Sequence, residues 1–209
     1  MIDPLARPET VPLRSLLRED FARYDRRPTI PGFHAIVVHR IGRRTMGSRR
    51  SSDRVVHALA KLGALVVRNV YGIELGFRVD VGRRVLFSHQ GMIVVNNASR
   101  IGNDCVIRHG VTLGARNDRS VGEAPELRDG VEVGVNAVIL GKVVIGERAK
   151  VGPLAVVLED VPPGARVLAA SAIVLNKEPD GDGRAGEHAD PGMVPPRLRA
   201  RRPGDAPGD

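Results

Sequence analysis

From about residue 79 the large aliphatic side chains of this chain recur at a fixed interval of six. Val95, Ile101, Ile107 and Leu113 open the series, and Leu127, Val133, Ile139, Ile145, Val151 and Val157 continue it. Four positions after these, apart from Leu113, stands a small or β-branched residue: Ser99, Cys105, Val111, Val131, Ala137, Val143, Ala149, Ala155 and Val161. Such a period predicts a solenoid. Each six-residue rung forms one flat side of a coil, the aliphatic points inward, the small residue fits the corner, and three rungs complete a triangular turn. Two irregularities interrupt the frame. Around His89, in VLFSHQGMIVVN (85–96), the register slips by two residues, because Val81 and Phe87 share a phase that Val95 does not. Between Leu113 and Leu127 the interval is fourteen, read as two more than the twelve of two rungs, and the polar, Gly- and Pro-containing stretch predicts an extruded loop over 115–126. Repeat proteins carry their insertions on the functional face, so chemistry is sought at these two places.

Before the repeat the spacing is helical. LRSLLREDFARY (13–24), FHAIVVHRIGRRT (33–45) and DRVVHALAKLGALVVRNV (53–70) predict three helices, with Ser52 as N-cap of the third and Val55, Val56, Leu59, Leu62, Leu65 and Val66 on its apolar face. Pro28 and Pro31 separate the first two, and GSRRSS (47–52) separates the last two. After the repeat, residues 177–209 hold six Gly and six Pro with mixed charge and few large apolar groups, a composition that predicts disorder. The expected organisation is a helical N-terminal segment over 1–71, a β-solenoid over 72–176 and a disordered tail over 177–209.

Composition narrows the class. With 42% apolar residues in 209 a core can form, and with only 3% aromatics and no Trp it must be filled by Val, Ile, Leu and Ala. The single cysteine, Cys105, excludes an internal disulfide and a cysteine-rich zinc site, and no metal is expected. The longest apolar run, LGALVV (62–67), lies between Lys61 and Arg68 and falls far short of the ~20 residues of a membrane span, so a soluble, cytoplasmic protein is expected. The formal charge of +8 and the cluster Arg40, Arg43, Arg44, Arg49, Arg50 and Arg54 raise the question of nucleic acid. Aromatics for base stacking and any zinc-finger, helix-turn-helix or RNA-binding signature are missing, so the cluster is read as a solvated basic face.

GFHAIVVHRIG (32–42), VGRRVLFSHQGMIVVN (81–96), VIRHGVTLG (106–114) and VEVGVNAVILGKVVIGERAKVGPLAVVLEDVPPGA (131–165) resemble serine O-acetyltransferase and its short relatives from exopolysaccharide gene clusters. The resemblance covers roughly residues 13–175. It implies a mainly β fold, a left-handed parallel β-helix of hexapeptide repeats behind an α-helical N-terminal segment. It also implies a homotrimer or dimer of trimers, with acetyl-CoA as co-substrate and the acceptor bound in clefts between subunits. His89 matches the family's catalytic histidine, and Glu74, fifteen residues earlier in YGIELG, matches its partner carboxylate, an aspartate in the family. Gly114, Ala115 and Lys150 match cofactor-binding positions, while Val135 and Pro153 replace small residues of that groove. Ser88 stands at the family's aspartate before the histidine, and Asp25 approximates a further serine-binding aspartate. The family's Arg-His pair in the extruded loop is Glu123-Ala124 here, so Arg116 and Arg119 are the loop cations left to bind a carboxylate. The family's C-terminal isoleucine, which docks a sulfhydrylase, is absent from APGD, and no such complex is expected.

The residues themselves suit that chemistry. Acylating a hydroxyl requires removal of a proton of high pKa as the oxygen attacks a thioester. A neutral imidazole with a pKa of ~6.5 is the side chain best poised to take it, and a carboxylate on the other ring nitrogen stabilises the imidazolium. His109, on the same solenoid, is a second base or an acceptor-binding group, or a surface histidine. His34, His39 and His57 are read as core-edge or surface residues. Three readings follow: transfer of acetyl to L-serine in cysteine biosynthesis, the same chemistry on a sugar hydroxyl of a glycan, or a catalytically inactive trimeric scaffold.

Overall fold

A computed structural model describes residues 8–120 and 122–170. The expected tail at 177–209 and the end of the expected solenoid segment lie outside the described residues. Three helices come first: α1 (Leu13–Arg23), α2 (Pro31–Thr45) and α3 (Ser51–Tyr71). Pro31 occupies the first turn of α2, where its missing N–H costs nothing. Gly72 ends α3 in the left-handed conformation at φ 64°, a geometry that glycine adopts without strain. Among the described residues no helix is long and apolar enough to cross a membrane.

The chain then winds through about five triangular coils. The first coil is β1 (Ile73–Leu75), β2 (Asp80–Val81) and β3 (Leu86–Ser88), and the second is β4 (Ile93–Val95), β5 (Arg100–Ile101) and β6 (Val106–Arg108). The third is β7 (Thr112–Gly114), β8 (Glu126–Leu127) and β9 (Glu132–Val133), and the fourth β10 (Val138–Leu140), β11 (Val144–Ile145) and β12 (Lys150–Val151). A last coil comprises β13 (Val156–Val157), a bridge at Val161 and β14 (Arg166–Val167). Strands stack into three parallel sheets, β1-β4-β7-β10-β13, β2-β5-β8-β11 and β3-β6-β9-β12-β14. The ten aliphatics of the six-residue series and all nine corner residues are buried.

The two irregularities appear in the strand register. Phe87 pairs with Ile107, twenty positions on, whereas Val95 pairs with Leu113, eighteen on, so two extra residues sit in the turn between β3 and β4. Ile101 pairs with Leu127, twenty-six on, which makes the loop after Leu113 eight residues longer than a rung. The fourteen-residue interval therefore replaces one rung and not two, because a loop extruded at a corner consumes chain without adding a side to the coil. β8 already begins at Glu126, so the loop ends one residue earlier than the spacing suggests.

A β-helix has an open end whose first coil leaves backbone groups unpaired. Here α1 and α2 close it with polar side chains. Arg40 donates to the carbonyls of Val81 (2.6 Å) and Gly82 (2.5 Å), His39 Nε2 to that of Val79 (3.1 Å), and Arg43 to that of Arg78 (3.0 Å). The Phe87 N–H donates to the Tyr24 hydroxyl at 2.8 Å. The helix reaches these groups because Gly32 abuts the Phe87 backbone and Gly42 the Phe77 ring, where a Cβ would overlap either neighbour. Asp20, fully buried, neutralises Arg40 through contacts of 3.0 and 3.4 Å. Burial pushes the Asp20 carboxyl up against the pull of Arg40. Arg40 is thus a buried cap and not part of a solvated basic face, as its place in the arginine cluster had suggested.

Two further expectations change at α3. The helix starts at Ser51 with Arg50 at the cap position, so Ser52 lies inside the first turn and is not the N-cap. Ser48 instead donates to Asp53 at 2.5 Å, and the Asp53 charge sits in the first turn, where the helix dipole favours it. More consequential is the apolar face. The helix lies against the rest of the chain through Ala60 and Val67, while Val55, Val56, Leu59, Leu62, Leu65 and Val66 are turned to solvent. Small residues let α3 approach α2 closely, with Gly63 meeting Val38, so the larger aliphatics are left on the outer side.

Candidate active site

The turn that follows β3 carries His89. Its two extra residues are accommodated by left-handed backbone at His89 (φ 68°), Gly91 (φ 106°) and Met92 (φ 54°), which is costly for a non-glycine residue and aims the imidazole outward, exposed. The turn is pinned on both sides. Ile93 N–H donates to the Gly72 carbonyl at 2.9 Å, and Gly110 N–H, one coil on, to the Gly91 carbonyl at 2.9 Å.

Coil winding brings His109 to this corner. Because Ser88 and Arg108 are register partners, the residues that follow them stack, and the rings of His89 and His109 meet edge to face, with centroids 5.8 Å apart and planes at 83°. His109 is half-buried, and its Nδ1 is enclosed without a hydrogen-bond partner. Asn136 N–H bonds the His109 carbonyl (3.0 Å) and Leu154 N–H the Val135 carbonyl (2.9 Å), so His89, His109, Val135 and Pro153 run along one edge of the prism.

Beside that edge, on the β3-β6-β9-β12-β14 sheet, runs an open groove of about 560 Å³. Gly134 and Gly152 are among its lining residues, and Arg108, Lys150 and Arg166 bring three cations to it. Lys150 is paired with Glu132 at 2.7 Å. Arg108 and Arg166 were not singled out from sequence. Their signal was available in the repeat, since Arg166 aligns with Lys150 across the sheet. The groove could hold a polyanionic, elongated molecule, with glycine backbone along its arm and cations at its phosphates.

The remaining candidates are dispersed over the protomer. Glu74 is exposed on β1, beside Val94, and no hydrogen bond or ion pair joins it to His89 among the described residues. It lines a separate cavity of about 240 Å³ with Lys61 and Arg68 of α3 and with Asn97. Gly114 ends β7 and Ala115 follows it, on a different sheet from Lys150 of β12, so one chain alone does not bring the cofactor candidates together. Ser88 is half-buried at the end of β3. Arg116 packs over Gly141 and donates to the Leu158 carbonyl, while Arg119 is exposed in the short 3₁₀ turn of the loop. Asp25 is exposed in the left-handed turn after α1 at φ 53°. Cys105 is enclosed, its thiol donating to the Arg128 carbonyl at 3.2 Å, and burial pushes its pKa up to about 12, which removes it as a nucleophile.

No protein-family model matches the chain. A serine acetyltransferase of Helicobacter pylori is 31% identical over 169 residues, which are 79% of this chain and 95% of that one. The soybean serine acetyltransferase complexed with serine superposes with a TM-score of 0.63 at 32% identity, over 74% of this chain and 65% of the other. The serine acetyltransferase of Brucella abortus in complex with coenzyme A gives a TM-score of 0.64 at 26% identity, over 78% of this chain and 68% of that one. The chain thus spans about two-thirds of the length of these solved relatives. Identity over nearly the whole of one serine acetyltransferase, on a helix-capped parallel β-helix that superposes on two others, assigns the chain to the serine acetyltransferase family of hexapeptide-repeat acyltransferases.

Proposed function

We propose that this protein transfers acetyl from acetyl-CoA to the hydroxyl of L-serine, releasing O-acetylserine and CoA, as a cytoplasmic enzyme of cysteine biosynthesis. The observation that carries the reading is the exposed His89 at an inserted, doubly pinned turn, paired edge to face with His109 on the edge of the prism that flanks a cationic groove. Relatives complexed with serine and with coenzyme A support the two substrates.

In this mechanism His89 takes the hydroxyl proton as the oxygen attacks the thioester carbonyl. The C–O bond forms, the C–S bond breaks, and the imidazolium returns its proton to the departing sulfur, so no covalent enzyme intermediate is needed. Arg108, Lys150 and Arg166 hold the phosphates of CoA, with Gly114 and Ala115 of a neighbouring copy completing the cleft. Glu74 supplies the carboxylate that orients His89 when the cleft is formed. The working unit is a homotrimer, or a dimer of trimers.

A second reading, a sugar hydroxyl as acceptor, is favoured by the loop. Glu123 and Ala124 replace the Arg-His pair, and one N–H of Arg116 is given to the Leu158 carbonyl, so the exposed Arg119 is the main loop cation left for a serine carboxylate. Thiol release from acetyl-CoA decides between the two. Turnover with L-serine that falls 10²- to 10⁴-fold in His89→Ala supports the first reading, a general base of this kind being worth about that factor. Turnover with a nucleotide sugar and none with serine transfers the same chemistry to glycan modification. Undiminished turnover in His89→Ala would remove the mechanism.

A further inference from the structure

The cavity that holds Glu74 carries more charge than the chemistry assigned to it uses. Lys61 and Arg68 reach it from α3, and Asn97 from the turn after β4. Among the described residues none of these four side chains bonds to another, and the only hydrogen bond their polar groups make runs from Arg68 Nε to Asn69 Oδ1 at 3.3 Å. Cations placed there only to neutralise Glu74 would close on it, yet neither forms an ion pair with it. We infer that Lys61 and Arg68 hold a carboxylate carried by the acetyl acceptor, taking over from the loop, where Glu123 and Ala124 stand. The inference rests on the proposed acetyl transfer in a cleft between copies.

Position along the prism points to the acceptor. The cationic groove runs from Arg108 in the second coil to Arg166 in the last, and His89 stands where the first coil passes into the second. The cavity lies beside β1 and β4, in the first two coils, with α3 as its other wall. A cofactor laid along the groove with its thioester at His89 leaves the acceptor on the helix side, at the level of the cavity. Rotation about a threefold axis parallel to the prism keeps equivalent coils level, so the groove of one copy and the cavity of the next keep this order. Glu74 and Gly114 lie on one sheet, on β1 and β7 with β4 between them, so the surface that completes the cleft carries the cavity as well.

The cations are held rigidly to the coil. Helix α3 passes into β1 through Gly72 alone, and a Cβ on Gly72 would meet Met92 N at 3.0 Å and Gly91 Cα at 3.2 Å, both in the His89 turn. Gly72 N–H donates to the Arg68 carbonyl at 3.1 Å and its carbonyl accepts from Ile93, so Arg68, Glu74 and the His89 turn share one joint. Volume and charge then define the ligand class. About 240 Å³ falls below the range of about 300–1,000 Å³ that encloses a whole drug-sized molecule, so the cavity takes the charged end of a small acceptor. A guanidinium and an ammonium suit a carboxylate, and two cations against one Glu74 leave a positive surplus for it. Serine answers to this description, and so does a uronic acid; a neutral hexose does not.

Thiol release from acetyl-CoA with matched acceptors tests it on the full chain: L-serine against L-serinamide, and glucuronic acid against glucose. The wild type should prefer the acid of a pair, serine if the carboxylate belongs to an amino acid and glucuronic acid if it belongs to a glycan. Lys61→Met/Arg68→Met should raise KM for that acid at least about tenfold, the loss expected when hydrogen bonds to a charged group are removed, with the effect in KM and not in kcat. Both side chains are exposed, so the double variant should keep the wild-type circular dichroism. Arg54→Met removes a charge from α3 seven residues before Lys61 and outside the cavity, and should keep the wild-type KM. An unchanged KM in the double variant, or wild-type preference for serinamide or glucose, would overturn the clamp, while activity that still depends on His89 leaves acetyl transfer standing. No turnover with any of the four acceptors would overturn the clamp together with the reading beneath it.

Discussion

Acid should loosen the capped end of the β-helix through a single side chain. The His39 ring is buried, donates through Nε2 to the Val79 carbonyl and lies beside the Arg40 cation. Burial, reinforced by the Arg40 charge, lowers its pKa to about 3 from the ordinary value of about 6.5. Between those values the unfolded chain binds a proton that the folded chain refuses. The stability associated with neutral His39 is therefore complete above about pH 6.5 and is lost as pH falls towards 3. At about 1.4 kcal/mol per pH unit of separation, the loss between pH 7 and pH 4.5 is about 2.5 kcal/mol per chain, and it barely depends on where below about 4 the ring titrates. His39→Gln keeps an N–H donor for Val79 and has no proton to gain. Urea unfolding of both proteins at matched concentration, from pH 7 to pH 4.5, should show the difference between wild type and variant shift by about 2.5 kcal/mol in the variant's favour. The other histidines and the carboxylates are common to both proteins and cancel. Parallel pH profiles would refute the assignment of His39 as a neutral cap.

Removing the counter-ion of the neighbouring cap should be more costly at neutral pH. Asp20→Asn strands a buried Arg40 and should lower stability by about 3–5 kcal/mol, against at most about 1 kcal/mol for Asp104→Asn at the exposed pair with Arg84, both read from urea midpoints. Gly32→Ala drives a methyl into the Phe87 carbonyl and should cost about 1–3 kcal/mol in the same assay, with no gain in helix stability visible. Cys105 should resist a thiol reagent at pH 8 in the native protein and react fully in denaturant; rapid native labelling would contradict its burial at a corner of the coil.

A six-residue period can be read without coordinates because the coil repeats a local decision: the same position in every rung meets the same interior. That is why residues from Val95 to Val157 were assignable one by one and proved buried. The insertions were visible for the same reason, as departures from a period, although the number of sides the loop replaced required the pairing of Ile101 with Leu127. His89 was legible through its place in an interrupted strand and its family block. Its companion His109 was singled out only as a second base, an acceptor group or a bland histidine. Their contact depends on a coil of twenty residues, which only the pairing of Ser88 with Arg108 establishes.

Helical amphipathicity was less informative. A pattern of aliphatics on α3 states that one side of the helix avoids water, but not what it faces, and glycine-mediated approach to α2 turned that side outward. Nor could the run HAIVVHRIG announce that His39 and Arg40 are caps. Their partners are carbonyls of the first coil, forty residues on, left unpaired only because no coil lies beneath them. By itself, then, the sequence determined what recurs locally, namely the rungs, their inward residues and the breaks in them. Tertiary structure decided what depends on distant backbone: which end needed capping, which histidines meet at one corner, and which side of α3 stays exposed.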